Sequence, residues 1–261
     1  VCPRHAPRRR PAPGAPPARG PGRGIAPVDD PAPPHGDGPA AFSIRLAIGD
    51  GLRALCPANA VGLLEARVRN DHPAPGLQAA IDAALADFAG HPLERIKQHS
   101  AIAATRALYR ACGKEPNRYR PAAEQLRRRA AQGKGLYRIS PLVDLVNLVS
   151  LRTGLSIGAF DLDAIDGDAA WGIGRAGEPY EAIGRGPFNI EGMPVLRDRL
   201  GAFGSPSSDS ERTRLRPETT RLLLNINSYA GPDPALAALD LAADLLRRHA
   251  DATDLRSAIV R

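Results

Sequence analysis

Residues 138–168, RISPLVDLVNLVSLRTGLSIGAFDLDAIDGD, constrain this chain more than any other stretch. Ser140 stands where a helix N-cap belongs, and Pro141 where the first helical residue belongs. Leu142, Leu145, Val146, Leu148 and Val149 then recur at helical spacing and make one apolar face. Gly154 is a natural helix stop. Ile157, Ala159 and Phe160 lead into Asp161, Leu162, Asp163 and Ile165 as a strand, and Asp166-Gly167 turns the chain into a second strand. A helix carrying Asp144 and Asn147 beside a strand carrying Asp161 and Asp163 could wall a site. Equally, such residues cap turns or face solvent. On a strand Asp161 and Asp163 share one face, where paired carboxylates can move protons, hold a cation or simply accept backbone N–H bonds.

With 261 residues there is room for one large domain or two small ones. Aromatic residues are 4% of the chain, so Ala and aliphatic side chains must fill the core. No apolar run approaches the roughly 18–20 residues of a membrane helix. The net charge is +7, and residues 1–40 hold six Arg and three Asp, or +3 of it. The remaining +4 is compatible with RNA without demanding it. Cys2, Cys56 and Cys112 lie far apart with no C-x-x-C, which points to a reducing cytoplasm and no zinc site. None of the histidines stands in H-x-x-x-H or H-x-E spacing, so no metal is expected.

Residues 1–40 hold 12 of the 26 prolines and almost nothing to bury. They read as a disordered extension, with RNA-phosphate binding by its arginines as the alternative. The first residue is Val rather than Met, which fits a misplaced start. Residues 41–250 read as a single domain and 251–261 as a C-terminal tail. Phe42, Ile44, Leu46 and Ile48 alternate as a strand, Gly49-Asp50-Gly51 reads as a turn, and Val61 to Val68 as a second strand. Helices are expected over Leu77–Phe88, Leu93–Cys112 and Pro121–Gln132. The last of these carries Arg127, Arg128 and Arg129, a solvated charged face or, with Lys134 and Arg138, a phosphate-contacting edge. Short strands are expected at Ala169–Arg175, Tyr180–Ile183, Pro194–Arg199 and Leu200–Ser205. Thr220–Ser228 is the strongest strand, and a helix begins at Asp233-Pro234. Strands and helices mix without regular βαβ alternation, so the fold class is α+β, a mostly antiparallel sheet with packed helices.

Two catalytic motifs match by letter only. Gly172 to Gly177 spells G-x-G-x-x-G, but Glu178-Pro179 follows where a dinucleotide site needs a helix. Gly154 to Gly158 spells G-x-S-x-G, but Ser156 lies between a helix and a strand, the reverse of a nucleophile elbow.

The spacing V-D-x-x-N-x-x-x-L-x-x-G (Val143, Asp144, Asn147, Leu151, Gly154) followed by A-F-D-x-D-x-I-x-G-D (Ala159 to Asp168) resembles the B3/4 editing domain of the bacterial phenylalanyl-tRNA synthetase β subunit. The likeness runs upstream through LRRRAAQGKGLYRISPLVD and downstream through GSPSSDSERTRLRPETTRLLLNI, about residues 115–230. It implies a B3/4-like fold and a pocket for an amino acid beside a groove for the terminal adenosine of tRNA. The implied chemistry is hydrolysis of the ester of a mischarged tRNA, by water attack assisted by the terminal ribose hydroxyl, with no cofactor. Because an aminoacyl ester is already activated, orientation and a few oxyanion donors can supply much of the acceleration. That would account for the lack of a nucleophile–base pair in the sequence.

By position, Asn147 matches the family's Asn, and Val146 replaces its Thr. Gly158 replaces a pocket His, which implies a larger pocket and a rejected amino acid other than tyrosine. Gly204-Ser205 and Ser208-Asp209 match a pocket loop whose acidic residue reads the amino-acid side chain, with Glu211 as a neighbour. Acids at Asp161, Glu178, Glu181, Asp209 and Glu211 would suit a cationic side chain. The chain has no room for the other synthetase modules, so the resemblance implies a stand-alone, trans-acting deacylase whose partner is the tRNA acceptor end. The alternatives are an RNA-binding module without chemistry, and a binder or hydrolase of small molecules using the same pocket.

Overall fold

The computed structural model describes residues 42–71, 74 and 76–261. The Pro/Arg-rich segment 1–40 lies outside the described residues. In chain order the elements are β1 (Leu46–Ile48), α1 (Asp50–Leu55), β2 (Ala60–Arg67), α2 (Leu77–Phe88), α3 (Leu93–Gln98), α4 (Ser100–Ala111), α5 (Ala122–Ala131) and α6 (Pro141–Thr153). Then come β3 (Ser156–Asp161), β4 (Ala169–Ile173), β5 (Glu181–Ala182), β6 (Gly186–Pro187), β7 (Pro194–Asp198), β8 (Gly201–Gly204), β9 (Arg221–Ser228), α7 (Asp233–His249) and β10 (Thr253–Val260).

Two four-stranded sheets carry the fold, in orders β10-β2-β9-β3 and β1-β4-β7-β8. Every pairing is antiparallel except β1 with β4. The fold is α+β, as the sequence implies. The first sheet is central. One of its faces, through Leu64, Leu222, Leu224 and Ile226, packs on α2, α5, α6 and α7. The other, through Val61, Leu63, Phe160 and Leu223, packs on Trp171, Leu196 and Phe203 of the second sheet. An antiparallel sheet covered on both faces loses the usual apolar–polar alternation, and β2 is accordingly buried from Ala60 through Ala66.

Local rules set the organising helix. The Ser140 side chain accepts from Val143 N, Pro141 opens α6, and Gly154 closes it at φ +75°. A Cβ at Gly154 would also lie 2.7 Å from the His99 ring, so glycine is required there for space as well as conformation. Four expectations change. Phe42–Gly51 yields only the short β1, and Gly49-Asp50-Gly51 opens α1 instead of turning. The helix expected over Leu93–Cys112 breaks at His99, whose backbone is extended (φ −59°, ψ 128°). Residues 251–261 contain β10, which pairs with β2 from Thr253 to Val260 and covers its edge. Gly172–Gly177 follows β4 into a turn with no helix behind it, and Ser156 is a buried first residue of β3.

Candidate functional site

A pocket of about 340 Å³ opens between α6, β3 and the segment 214–217. That volume suits a small ligand. Helical spacing puts Val143, Val146 and Asn147 on one face of α6, and strand alternation puts Ile157 and Ala159 on one face of β3. Leu215 and Pro217 close the far side. Ile139 and Ile183 stand exposed at the mouth, with Arg214 and Arg216 on the rim.

The far wall is tied down by polar links. Arg216 N donates to Thr219 Oγ1 (2.9 Å), and that hydroxyl donates to Asp161 Oδ2 (2.9 Å). Asn70 Nδ2 donates to Arg216 O (2.8 Å), while Asn70 Oδ1 accepts Leu142 N at the start of α6 (3.1 Å). Asp161 therefore holds the wall in place and does not line the pocket. Its Oδ1 caps the 3-10 turn at Asp163 N (3.1 Å), and Asp163 pairs with Arg221 (2.6 Å). The two carboxylates read as a pair thus take separate partners, because the strand ends at Asp161.

Asp209 is the one acid lining the pocket. It belongs to the loop after β8, in which Ser205 Oγ donates to Ser208 O (2.8 Å) and accepts Ser208 N (3.1 Å). Tyr180 OH donates to the same Ser208 carbonyl (2.7 Å), and Ile183 N to the Asp209 carbonyl (3.0 Å). Burial pushes the Asp209 carboxyl up to about 7, opposed by backbone N–H bonds from Ala159 and Ser205. At neutral pH this group therefore exchanges a proton and can meet a donor or a cation in the pocket.

Gly158 lies behind the pocket wall. A Cβ there would come within 2.4 Å of Phe160 Cζ and 3.5 Å of Asp209 Oδ1. The fully buried Phe160 ring, edge-on to Phe203 at 4.9 Å, occupies the space that a side chain at 158 would need. The glycine admits that ring and does not enlarge the pocket. Replacing Gly158 by Ala is expected to destabilise the fold by about 2 kcal/mol through overpacking, read as a lower urea midpoint at unchanged slope. Replacing it by His is expected to cost more.

The other sequence candidates are dispersed. Glu178 forms a two-toothed ion pair with Arg197 (2.8–3.2 Å) and accepts Arg175 N (2.8 Å). Glu181 is exposed on β5. Glu211 pairs with Arg214 (2.7 Å) and accepts Gly184 N (3.1 Å), so it orders the rim. Ser205 shapes the Asp209 loop. Of the residues assigned to the amino acid, Asn147 and Asp209 line the pocket. Of the basic residues, Arg127 points inward, with Nε on Leu151 O and Nη2 on Arg152 O, both at 2.8 Å. Arg128 sits 3.9 Å from Glu124, and Arg138 pairs with Asp144 (2.8 Å). Arg129 stacks on Tyr137, and Lys134 is exposed beside it. Arg214, Arg216, Tyr137 and Ile139 were not singled out from the sequence. The run R-L-R-P directly after the Asp209 loop was the available signal for the first two.

The family model of the B3/4 domain matches residues 104–258. This chain belongs to the B3/4 domain family. The resemblance over 115–230 falls inside that span. The B3/4 chain is also similar in structure to an N-terminal fragment of the phenylalanyl-tRNA synthetase β subunit from Pyrococcus horikoshii, at 13% identity and a TM-score of 0.46. That alignment covers 84% of this chain and 55% of the fragment. A search of curated proteins gave no match. Among the described residues no helix is long and apolar enough to cross a membrane, and no group of three or more His, Cys, Asp or Glu could hold a metal ion.

Proposed function

We propose that this B3/4 domain is a cytoplasmic, trans-acting aminoacyl-tRNA deacylase that hydrolyses the ester of a mischarged tRNA. The observation that carries the reading is a small aliphatic pocket with one carboxyl in its wall and two arginines on its rim. Aliphatic walls suit the stem of an amino-acid side chain, Asp209 suits a cationic or N–H-bearing end, and the rim suits terminal phosphates. Asn147 lines the cavity. β3 is the outer strand of its sheet. Ala159 N–H points outward to Asp209, so by strand alternation Ile157 N–H faces the same side and can donate to a developing oxyanion. Water attacks the ester with the terminal ribose hydroxyl assisting, and the protein orients the acyl group.

The test is deacylation of a panel of mischarged and correctly charged tRNAs by residues 41–261. Fast release of one amino acid, with the rest spared, is expected. Cleavage of an aminoacyl nucleoside but not of tRNA would instead indicate a small-molecule hydrolase. Gly158, packed under Phe160 where the family resemblance places a histidine, favours a second reading: a tRNA-binding module without chemistry. Tight binding with no release would establish it.

A further inference from the structure

We propose that Tyr180 is a positioning residue of the pocket: its hydroxyl fixes the peptide that carries Asp209 and so aims the carboxyl at the cavity. The proposal rests on Asp209 being the group that meets the substrate, as in the deacylase reading. Tyr180 itself lies outside the cavity lining.

The direction of a side chain follows from the two peptide planes on either side of its Cα, because the backbone has only two soft torsions per residue. Both planes at Asp209 are held from one segment, 180–183. Tyr180 OH donates to Ser208 O (2.7 Å), in the plane before Asp209, and Ile183 N donates to Asp209 O (3.0 Å), in the plane after it. A β-bridge between Ala182 and Ser210 continues the contact. The Ser208 carbonyl also accepts from Ser205 Oγ (2.8 Å), but that bond is internal to the loop and moves with it. The Tyr180 hydroxyl ties the same carbonyl to the core outside the loop.

Tyr180 is fixed in turn. It is 6% exposed, packs with Tyr109, Met193 and Val195, and tilts against the Phe188 ring at 6.4 Å. Phe188 N donates to its carbonyl (2.9 Å). Burial, and then the neighbouring Asp209 carboxyl, hold the phenol well above its ordinary range, so it keeps its proton and remains a donor. Of the cations nearby, Arg212 is turned to Asp198 (2.8 Å), Arg214 to Glu211 (2.7 Å), and Arg216 lies on the rim. The setting of the Asp209 carboxyl comes from burial and from the N–H groups of Ala159 and Ser205, and both depend on where the 208–209 peptide lies. Tyr109 supplies a contrast. Its hydroxyl bonds Ser207 Oγ (2.8 Å), which donates to Tyr119 O (2.9 Å), so it touches neither plane at Asp209.

The experiment follows the Asp209 carboxyl by 13C NMR against pH in the full chain and in its Tyr180→Phe and Tyr109→Phe variants, with a urea midpoint recorded for each. Phe keeps the ring and its packing. Tyr180→Phe is expected to lower the Asp209 midpoint from about 7 by about one pH unit, a tenfold loss of proton affinity, as the freed peptide lets water reach the carboxyl. Tyr109→Phe is expected to leave the midpoint where the wild type has it. An unmoved midpoint in Tyr180→Phe overturns the proposal even if the urea midpoint falls, since a hydroxyl that only adds stability would not shift the titration. Equal shifts in both variants overturn it as well, because they report a loosened loop. A Tyr180→Phe chain that does not fold makes the hydroxyl a folding element, with the same consequence. The deacylase reading fails separately: cleavage of mischarged tRNA with the midpoint unmoved sinks Tyr180 alone, and no cleavage with the midpoint shifted as expected sinks the deacylase alone.

Discussion

Replacing Asp209 by Asn is expected to slow release of the preferred amino acid by about 100-fold while making the protein more stable above pH 7. The activity loss follows from the pocket's composition. Its walls are Val, Ile, Ala, Leu and Pro side chains, and Asp209 is the one acid among them. A donor on the substrate that meets this carboxylate forms a charge-assisted bond in a largely desolvated setting, and removing the charge forfeits about 2–3 kcal/mol. The stability gain follows from linkage. Burial raises the folded-state pKa of Asp209 to about 7, above the ordinary aspartate value of 3.8. Between those values the native state binds more protons than the unfolded one, so stability falls as pH rises through this window. Below about pH 4 the penalty is absent, and above 7 it is complete. Asp209→Asn removes it, a gain of order 2 kcal/mol at pH 8 once partial solvent contact is discounted. Urea unfolding at pH 4 and pH 8 checks the sign: the two proteins should differ little at the lower pH and most at the higher. A constant gap across that range would show that Asp209 is not titrating there. For a cationic substrate, wild-type activity should rise with pH through about 7, and the Asn variant should lose that rise.

Arg127→Met is expected to destabilise the fold by about 3 kcal/mol without altering the pocket. Arg127 is 4% exposed, and burial lowers its pKa to about 10. Its guanidinium joins the carbonyls of Leu151 and Arg152 at the C-terminal end of α6, which have no partner within the helix. It also lies 4.9 Å over the Phe88 ring of α2, so one side chain links α5, α6 and α2. Met fills similar volume and leaves those carbonyls unpaired. Lys should recover little, because a point charge cannot reach both oxygens as the guanidinium fork does. A second readout is His99. Burial, and then the Arg127 charge, lower its pKa, so its native state sheds protons that the unfolded chain keeps. That contribution to stability is present above the ordinary histidine value and is lost as pH falls through it. Without Arg127 the acid loss should shrink, measurable as a shallower fall in the urea midpoint from pH 7 to pH 5. A variant as stable as wild type would mean that the α6 carbonyls find another donor.

The local elements were legible because local rules set them. Ser140, Pro141 and Gly154 bound α6 as read, and the apolar run of Thr220–Ser228 became β9. The membership of the B3/4 family was carried by motif spacing within a single contiguous segment. The break at His99 was not legible, since no Gly or Pro marks it and the helical pattern continues across it. β10 is not legible in the sequence because its alternation is weak on a strand that is half exposed. Arg127 was legible in principle: with Ala123, Leu126 and Ala130 it completes the buried stripe of α5, and only its charge argued for solvent.

Composition and periodicity do not tell which of five acids faces the pocket; only the family resemblance, through Ser208-Asp209, points to Asp209. Asp161, Glu178, Glu181, Asp209 and Glu211 are all short-range neighbours of Gly, Ser or Pro, and their local sequence gives each the same character. Their fates are set by long-range partners: Thr219 for Asp161, Arg197 for Glu178, the Gly184 N–H for Glu211, and the edge of β3 for Asp209. Gly158 shows the same division. The sequence determined that a side chain is missing there, but only the packing of Phe160 into the gap decided that the pocket gains nothing from it. Capping, periodicity and turn chemistry act over a few residues and are written in order along the chain. Burial, charge pairing and the shape of a cavity depend on groups brought together from 50 or so residues away, as Asp209 and Ala159 are, and so were decided only when the sheets and helices closed.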